Sequence, residues 1–260
     1  MDIAENNIRA WTKLAGEGDY CTVPYSKEII QAARQGIWGV SATNNKNIPI
    51  EWFPESLKDK HILCLACGGG QQAPIFASLG ADVTVLDNNP VQLSRDKYVA
   101  DNEGLNIKLV EGDMRSLDML DAESFDVVFL PVSTPYISEV KTLWKAISRV
   151  LKNDGVLIAG FINPYVYIFD EDKLEKNVFE VKNKIPYCSL DGLSKEKVKK
   201  YFKEEKLVTY SHTTEDIIGG QIKAGLVIDG FFEDYDSETV LSKFSPVYFV
   251  TRATKMKTAI

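Results

Sequence analysis

Between residues 60 and 161 the chain alternates short apolar runs with amphipathic stretches. Residues 61–65, 82–87, 106–110, 125–130 and 156–161 are almost continuously apolar, the pattern of strands buried on both faces. Between them, 71–79 reads as a helix closed by Gly80, and Pro90 opens another at a position where its missing N–H does no harm. Residues 139–151 form an amphipathic helix that runs into a Lys152-Asn-Asp-Gly155 turn. Strands alternating with helices predict a doubly wound α/β fold with a mostly parallel sheet covered on both faces.

The flanks read differently. Residues 2–14 place Ile3, Ile8, Trp11 and Leu14 on one helical face, with Gly16 and Gly18 as the stop. Ser26 is placed to cap a helix over 27–35, with Gly36 after it. Trp38, Trp52 and Phe53 mark an aromatic arm, expected to pack on the core. After Phe161 the rhythm breaks into an apolar-aromatic stretch (165–169), a strand over 178–181, a charged helix over 194–205 and a strand over 207–211. Residues 213–224 read as a helix capped by Thr213 or Thr214 and ended by Gly225. Gly219 and Gly220 inside it cost about 1 kcal/mol each relative to alanine, which suggests close packing of the helix on the sheet. Residues 226–232 and 246–253 read as two strands that pair antiparallel, and the last few residues as a frayed tail. The chain is thus expected to be one domain over 1–260. It divides into an N-terminal helical arm (1–55), a core (56–161), a cap insertion (162–213) and the C-terminal part of the core (214–255).

Length, composition and charge narrow the class. The chain has 260 residues, 45% hydrophobic and 26% charged, with a net charge of −7, values of a globular protein without a basic face for nucleic acid or anionic membrane. Met1-Asp-Ile-Ala-Glu-Asn lacks a basic segment followed by an apolar run, so no signal peptide is expected, and no apolar stretch is long enough to span a bilayer. A cytoplasmic location is expected. Cys64-Leu-Ala-Cys67 matches the C-x-x-C redox spacing, but Cys64 lies within an apolar strand and packing is the preferred reading. No second ligand pair supports a metal site.

Chemistry concentrates after the first strand. Gly68-Gly-Gly70-Gln-Gln-Ala73 satisfies G-x-G-x-x-A, and Asp87 ends the second strand. On these residues alone an NAD(P)-dependent oxidoreductase is a live reading. A carboxylate there can accept hydrogen bonds from ribose hydroxyls, and glycines let backbone approach closely.

Read more widely, the loop Cys64-x-Ala66-x-Gly68-x-Gly70 resembles the D/E-x-G-x-G-x-G loop of class I S-adenosylmethionine-dependent methyltransferases. Glu111-Gly-Asp-Met114 is similar to that family's adenine-binding segment, and Arg149-Val-Leu-Lys-Asn-Asp-Gly to its turn into strand five. The resemblance covers 56–165, and 213–253 in architecture only. It extends to a small-molecule branch with C-G-G-G-Q-Q in the loop and a Ser-His-Thr-x-Glu-Asp-x-x-Gly-Gly segment, here 211–220. It implies a Rossmann-like, seven-stranded sheet with an antiparallel C-terminal strand. Two positions depart from the family. Cys64 stands where an acid braces the loop, and Ala66 stands where a glycine is usual.

The resemblance implies S-adenosylmethionine as cofactor, held by Ala66, Cys67, Gly68, Gly69, Gly70 and Gln71. Asp87 and Asn88 would hold the ribose, and Gly112, Asp113 and Met114 the adenine. Pro131, Val132 and Ser133 would lie beside the sulfonium. The activity implied is methyl transfer to a small molecule, with a non-catalytic S-adenosylmethionine-binding module as an alternative. Catalytic candidates are His212, Glu215, Tyr136 and Asn163, and Ser133 and Tyr165 join them on the acceptor side. His212 could serve as a base or as a helix-capping partner. Asn163-Pro-Tyr165 resembles the N-P-P-Y motif of amine-directed nucleic-acid methyltransferases, but follows the fifth strand instead of the fourth. His61, at the opposite end of the sheet, is read as structural. Acceptor, oligomeric state and any general base stay open.

Overall fold

The structure is a computed structural model and describes residues 2–257. Two helices, α1 (Ile3–Glu17) and α2 (Lys27–Arg34), precede the alternating core. The core runs β1 (His61–Leu65), α3 (Gln72–Ser78), β2 (Asp82–Asp87), α4 (Pro90–Glu103), β3 (Ile107–Glu111), β4 (Phe125–Leu130), α5 (Lys141–Val150) and β5 (Leu151–Ile162). The cap holds α6 (Glu171–Leu174), β6 (Tyr187–Cys188), α7 (Lys195–Lys203) and β7 (Tyr210–Ser211). The chain closes with α8 (Gly220–Lys223), β8 (Leu226–Asp234) and β9 (Tyr248–Lys255). Residues 258–260, where a frayed tail is expected, lie outside the described residues.

The main sheet has seven strands in the order β3-β2-β1-β4-β5-β9-β8. All neighbours from β3 to β5 pair parallel, while β9 pairs antiparallel with both β5 and β8. Alternate strand residues point to opposite faces, which splits the core in two. Ile62, Cys64, Val127, Phe129 and Ile158 pack on one face. Leu63, Leu65, Val128, Leu130 and Leu157 pack on the other, against Trp144 and Ile147 of α5. The aromatic arm joins the first cluster: Trp38, Phe53, Phe76 and Phe129 form a chain of ring contacts with centroids 5.4, 5.6 and 5.5 Å apart.

The N-terminal helix buries a different face from the expected one. Asn6, Asn7, Ala10 and Ala15 are buried, while Ile3, Ile8, Trp11 and Leu14 are only half-buried. The asparagines hold the cap. Asn6 Nδ2 donates to the Lys206 carbonyl (2.8 Å), Asn7 Nδ2 donates to the Val208 carbonyl (2.9 Å), and Val208 N donates back to Asn7 Oδ1 (2.8 Å). Asn7 is paired through both its amide nitrogen and its oxygen, whereas Asn6 is paired through its nitrogen alone. The same clasp explains why the strand expected over 207–211 shrinks to β7, paired with β6: an asparagine side chain takes the ladder bonds of Val208. The strand expected over 178–181 is reduced to one bridge between Phe169 and Val181. Helix α1 continues through Gly16 and ends at Gly18, with φ 78°. Ser26 precedes α2 without a side-chain capping bond.

Two further expectations change. The 152–155 turn is a bulge inside β5, since Phe125 pairs with Leu151 and Val127 with Val156. The helix expected over 213–224 is a π-helical turn (Glu215–Gly219) followed by α8. Gly220 packs on α5 instead of the sheet: a Cβ there would lie 2.5 Å from Trp144 Cδ1. The widened turn leaves the Asp216 carbonyl free to accept from Trp144 Nε1 at 2.9 Å.

Candidate active site

At the carboxyl ends of β1 to β4, where open α/β sheets bind ligands, the chain encloses a cavity of about 450 Å³. The loop after β1 forms one edge. Ala66, standing where the resemblance expects a glycine, adopts φ 48°, a left-handed conformation that glycine takes freely and that costs an alanine some backbone strain. Gly68 N donates to Asp87 Oδ2 (3.0 Å), and Asn89 N donates to Asp87 Oδ1 (2.9 Å). Burial pushes the Asp87 carboxyl above its ordinary range, against these donated bonds. Each oxygen keeps a further lone pair for a ligand hydroxyl.

Two of the three loop glycines do not reach the cavity. Gly68 lines the cavity with Ala66, Cys67 and Gln71, but Gly69 and Gly70 do not. Their close approach is to the chain itself: a Cβ would lie 3.1 Å from the Cys21 carbonyl at Gly69 and 2.9 Å from the Arg95 carbonyl at Gly70. Both also have positive φ, 137° and 75°. Gly69 N donates to Asp96 Oδ2 on α4 at 3.0 Å. Cys64 is fully buried in the core and Cys67 Sγ donates to Gln72 Oε1 (3.3 Å), the packing role expected of this pair. Among the described residues no cluster could hold a metal ion.

The other residues expected at the cofactor reach the same cavity. Asn88, Gly112, Asp113, Met114, Pro131, Val132 and Ser133 all line the cavity. Asp113 is turned onto Arg115, which approaches both carboxylate oxygens at 2.5–3.0 Å. Burial opposes ionisation there, but the Arg115 guanidinium outweighs it and holds the carboxyl below its usual range. Gln92 of α4 also lines the wall, and its buried Oε1 has no protein partner. The cavity-facing groups that remain open to a ligand are carboxylate and carbonyl acceptors such as Asp87, which suit a ligand rich in N–H and O–H donors.

The opposite wall comes from distant segments. Trp11, Tyr20, Cys21, Asn44, Tyr136 and Tyr248 contribute to it. Of these only Tyr136 was singled out from the sequence. It packs edge-on to Trp11 (5.4 Å between centroids). The 43–46 loop is held by Asp234 at the end of β8, which accepts from Thr43 Oγ1 (2.6 Å), Lys46 N (2.9 Å) and Asn45 N (3.2 Å). Burial would raise the Asp234 carboxyl, but these bonds prevail and hold it below the ordinary range. Asn44 Nδ2 then donates to Asp236 Oδ2 (2.8 Å), and Tyr248 OH donates to the same oxygen (2.9 Å). The segment around Tyr20 is strapped to the loop: Gln71 Nε2 donates to the Tyr20 and Val23 carbonyls (2.8 and 2.9 Å), and Tyr25 N to the Gly70 carbonyl (2.9 Å).

His212, Glu215, Asn163 and Tyr165 do not line this cavity. His212 is buried with Nε2 3.1 Å from the Thr134 carbonyl, and burial pushes its pKa down. Glu215 is exposed and pairs with Lys223 (3.3 Å). Asn163 caps the turn Pro164–Ile168. Tyr165 faces a separate apolar hollow with Phe169 and Phe244, its hydroxyl on the Ser245 and Pro246 carbonyls. Ser133 lines the cavity, but its hydroxyl donates to the Pro131 carbonyl (2.9 Å).

Comparison with known proteins agrees with this geometry. Residues 63–159 match a family model described as a methyltransferase domain. The chain is 41% identical over 254 residues to an uncharacterised methyltransferase, YbaJ, of Bacillus subtilis (strain 168), covering 98% of this chain and 99% of that protein. In fold it is similar to S-adenosylmethionine-dependent methyltransferases from Methanosarcina mazei (TM-score 0.59, 20% identity, 81% of this chain and 99% of that one) and Mesorhizobium loti (TM-score 0.57, 18% identity, 78% and 94%). The oxidoreductase reading falls away with these matches, and the chain belongs to the class I S-adenosylmethionine-dependent methyltransferases.

Proposed function

We propose that the cavity binds S-adenosylmethionine along the ends of β1 to β4 and a small-molecule acceptor against the aromatic wall. The observation that carries this reading is a single cavity joining Asp87 and Asp113 on one side to Tyr136 and Tyr248 on the other. In this reading Asp87 and Asn88 hold the ribose, Met114 and Asp113 flank the adenine, and the Gly68 backbone faces the methionine half. S-adenosylmethionine supplies a methyl group on a sulfonium, open to in-line attack. The protein's contribution is to align the acceptor and exclude water.

The described residues of the cavity wall include no histidine, lysine or glutamate. The Cys21 thiol is pushed up to about 11 by burial and stays protonated at neutral pH. The wall therefore favours acceptors whose nucleophilic atom needs no protein base, and Asn44, Tyr248 and Trp11 position the acceptor. Residues 1–55 and the cap act with the core as one catalytic unit, because α1 holds both the cap and the wall. No helix among the described residues is long and apolar enough to cross a membrane. Calorimetric titration with adenosylhomocysteine, then a methyl-release assay over a metabolite panel, tests the proposal. Binding without turnover of any small molecule would favour a non-catalytic binding module.

A further inference from the structure

We propose that Asp96, on the second turn of α4, is the acid that holds the cofactor loop. It would be a positioning residue that replaces the loop acid absent at Cys64 and couples cofactor affinity to its own ionisation. The geometry is specific. Two consecutive loop amides are taken by two carboxylates: Gly68 N donates to Asp87 Oδ2 and Gly69 N to Asp96 Oδ2, each at 3.0 Å. Gly69 sits at φ 137°, which an L side chain rarely adopts, so the direction of its N–H depends on what receives it.

Asp96 is fully buried, and its second oxygen, Oδ1, has no partner. The neighbouring cation does not neutralise it, because the Arg95 guanidinium is spent on the Ala15 and Thr22 carbonyls of the N-terminal strap. A buried carboxylate gripped only by loop amides is a costly way to fill space. An apolar side chain would pack there more cheaply. The charge is therefore explained by what it holds.

The titratable groups facing Asp96 are Asp87 at the end of β2 and Cys67 in the loop, while Arg95 on its own helix is turned to the N-terminal strap. Burial pushes Asp96 up to about 7, with Asp87 adding to the rise and the Gly69 and Gly70 amides opposing it. Below that value the carboxyl is protonated and holds the Gly69 N–H only through a weaker, neutral hydrogen bond. In the placement proposed above, the ammonium that cofactor and product both carry lies on the cavity side of this loop, and a nearby cation favours the ionised carboxylate. Ligand binding then releases a proton, so affinity rises with pH across neutrality, by up to tenfold for each pKa unit that binding removes.

This inference rests on the cofactor placement proposed above. The experiment is calorimetry of the full chain with adenosylhomocysteine between about pH 6 and pH 8, on wild type and Asp96→Asn. The wild type is expected to bind more tightly at the higher pH. Asp96→Asn is expected to bind about tenfold more weakly there and to show a flat profile, while its thermal midpoint equals or exceeds that of wild type because a buried charge is gone. Unchanged affinity and slope in the variant overturn the inference and leave the cofactor placement standing. No binding by wild type at either pH overturns the placement and this inference with it. Should the variant fail to fold, infrared spectra of the wild type decide: a buried protonated carboxyl band near neutral pH must vanish on ligand binding, and a band that persists overturns the proposal.

Discussion

The cavity wall proposed to face the cofactor is made by strand ends that follow one another between Ala66 and Ser133, whereas the wall proposed to face the acceptor gathers Trp11, Asn44, Tyr136 and Tyr248 from across the molecule. On the first wall, backbone amides meet the Asp87 and Asp96 carboxylates in a loop whose glycines pack against α4 and the strap. On the second, side chains are oriented by carboxylates that stand behind them, Asp234 and Asp236. A local motif can encode the first arrangement. The second exists only after the sheet has brought β8 and β9 beside the N-terminal arm.

The contrast can be broken most severely where the arm crosses the sheet. A Cβ on Gly160 of β5 would lie 2.2 Å from the Ala42 carbonyl, which also accepts from Val132 N. Gly160→Ala is expected to destabilise the fold by about 3 kcal/mol, read as a drop in the urea midpoint. Next, Asp87→Ala removes the ribose acceptor and should weaken adenosylhomocysteine binding by about 1.5–3 kcal/mol in calorimetry; an unchanged affinity would misplace the ribose. Tyr248→Phe should leave that affinity intact and cost about 1 kcal/mol in kcat/KM for the acceptor. If it weakens cofactor binding equally, the two walls are not separable.

Asp234 gives a pH test. Its folded carboxyl lies below the unfolded value, so its contribution is present above the unfolded pKa and lost as pH falls through the folded one. Asp234→Asn should therefore flatten acid denaturation below about pH 4. The smallest effect is expected of His212→Gln, since His212 lies outside the cavity. A kcat within about twofold of wild type at neutral pH is expected, and a large loss would return His212 to the reaction.

Strand and helix placement was largely legible. The strands expected over 82–87 and 125–130 have those bounds, because continuous apolar runs between turn residues have few alternatives. Part of the cavity lining was legible through residues whose placement is local: Asp87 at a strand end, Met114 after β3, Ser133 after β4. Asp96 escaped notice because an acid within a polar helix reads as solvent-facing until the loop is seen against it. His212 and Glu215 attracted attention as chemistry-bearing types, yet type alone does not say which way a turn faces. The N-terminal helix misled for a related reason. Its apolar stripe was real, but two buried asparagines with paired amides decided which face turned inward.

By itself the sequence determined the alternating α/β core, the glycine loop and the carboxylate after the second strand, since period, turn chemistry and spacing act over a few residues. Only the tertiary structure decided what braces that loop, which aromatic rings line the cavity and which candidates never reach it. Those outcomes depend on pairings such as Asn7 with Val208 and Asp96 with Gly69, and a bond between residues far apart in sequence leaves no periodic trace along the chain.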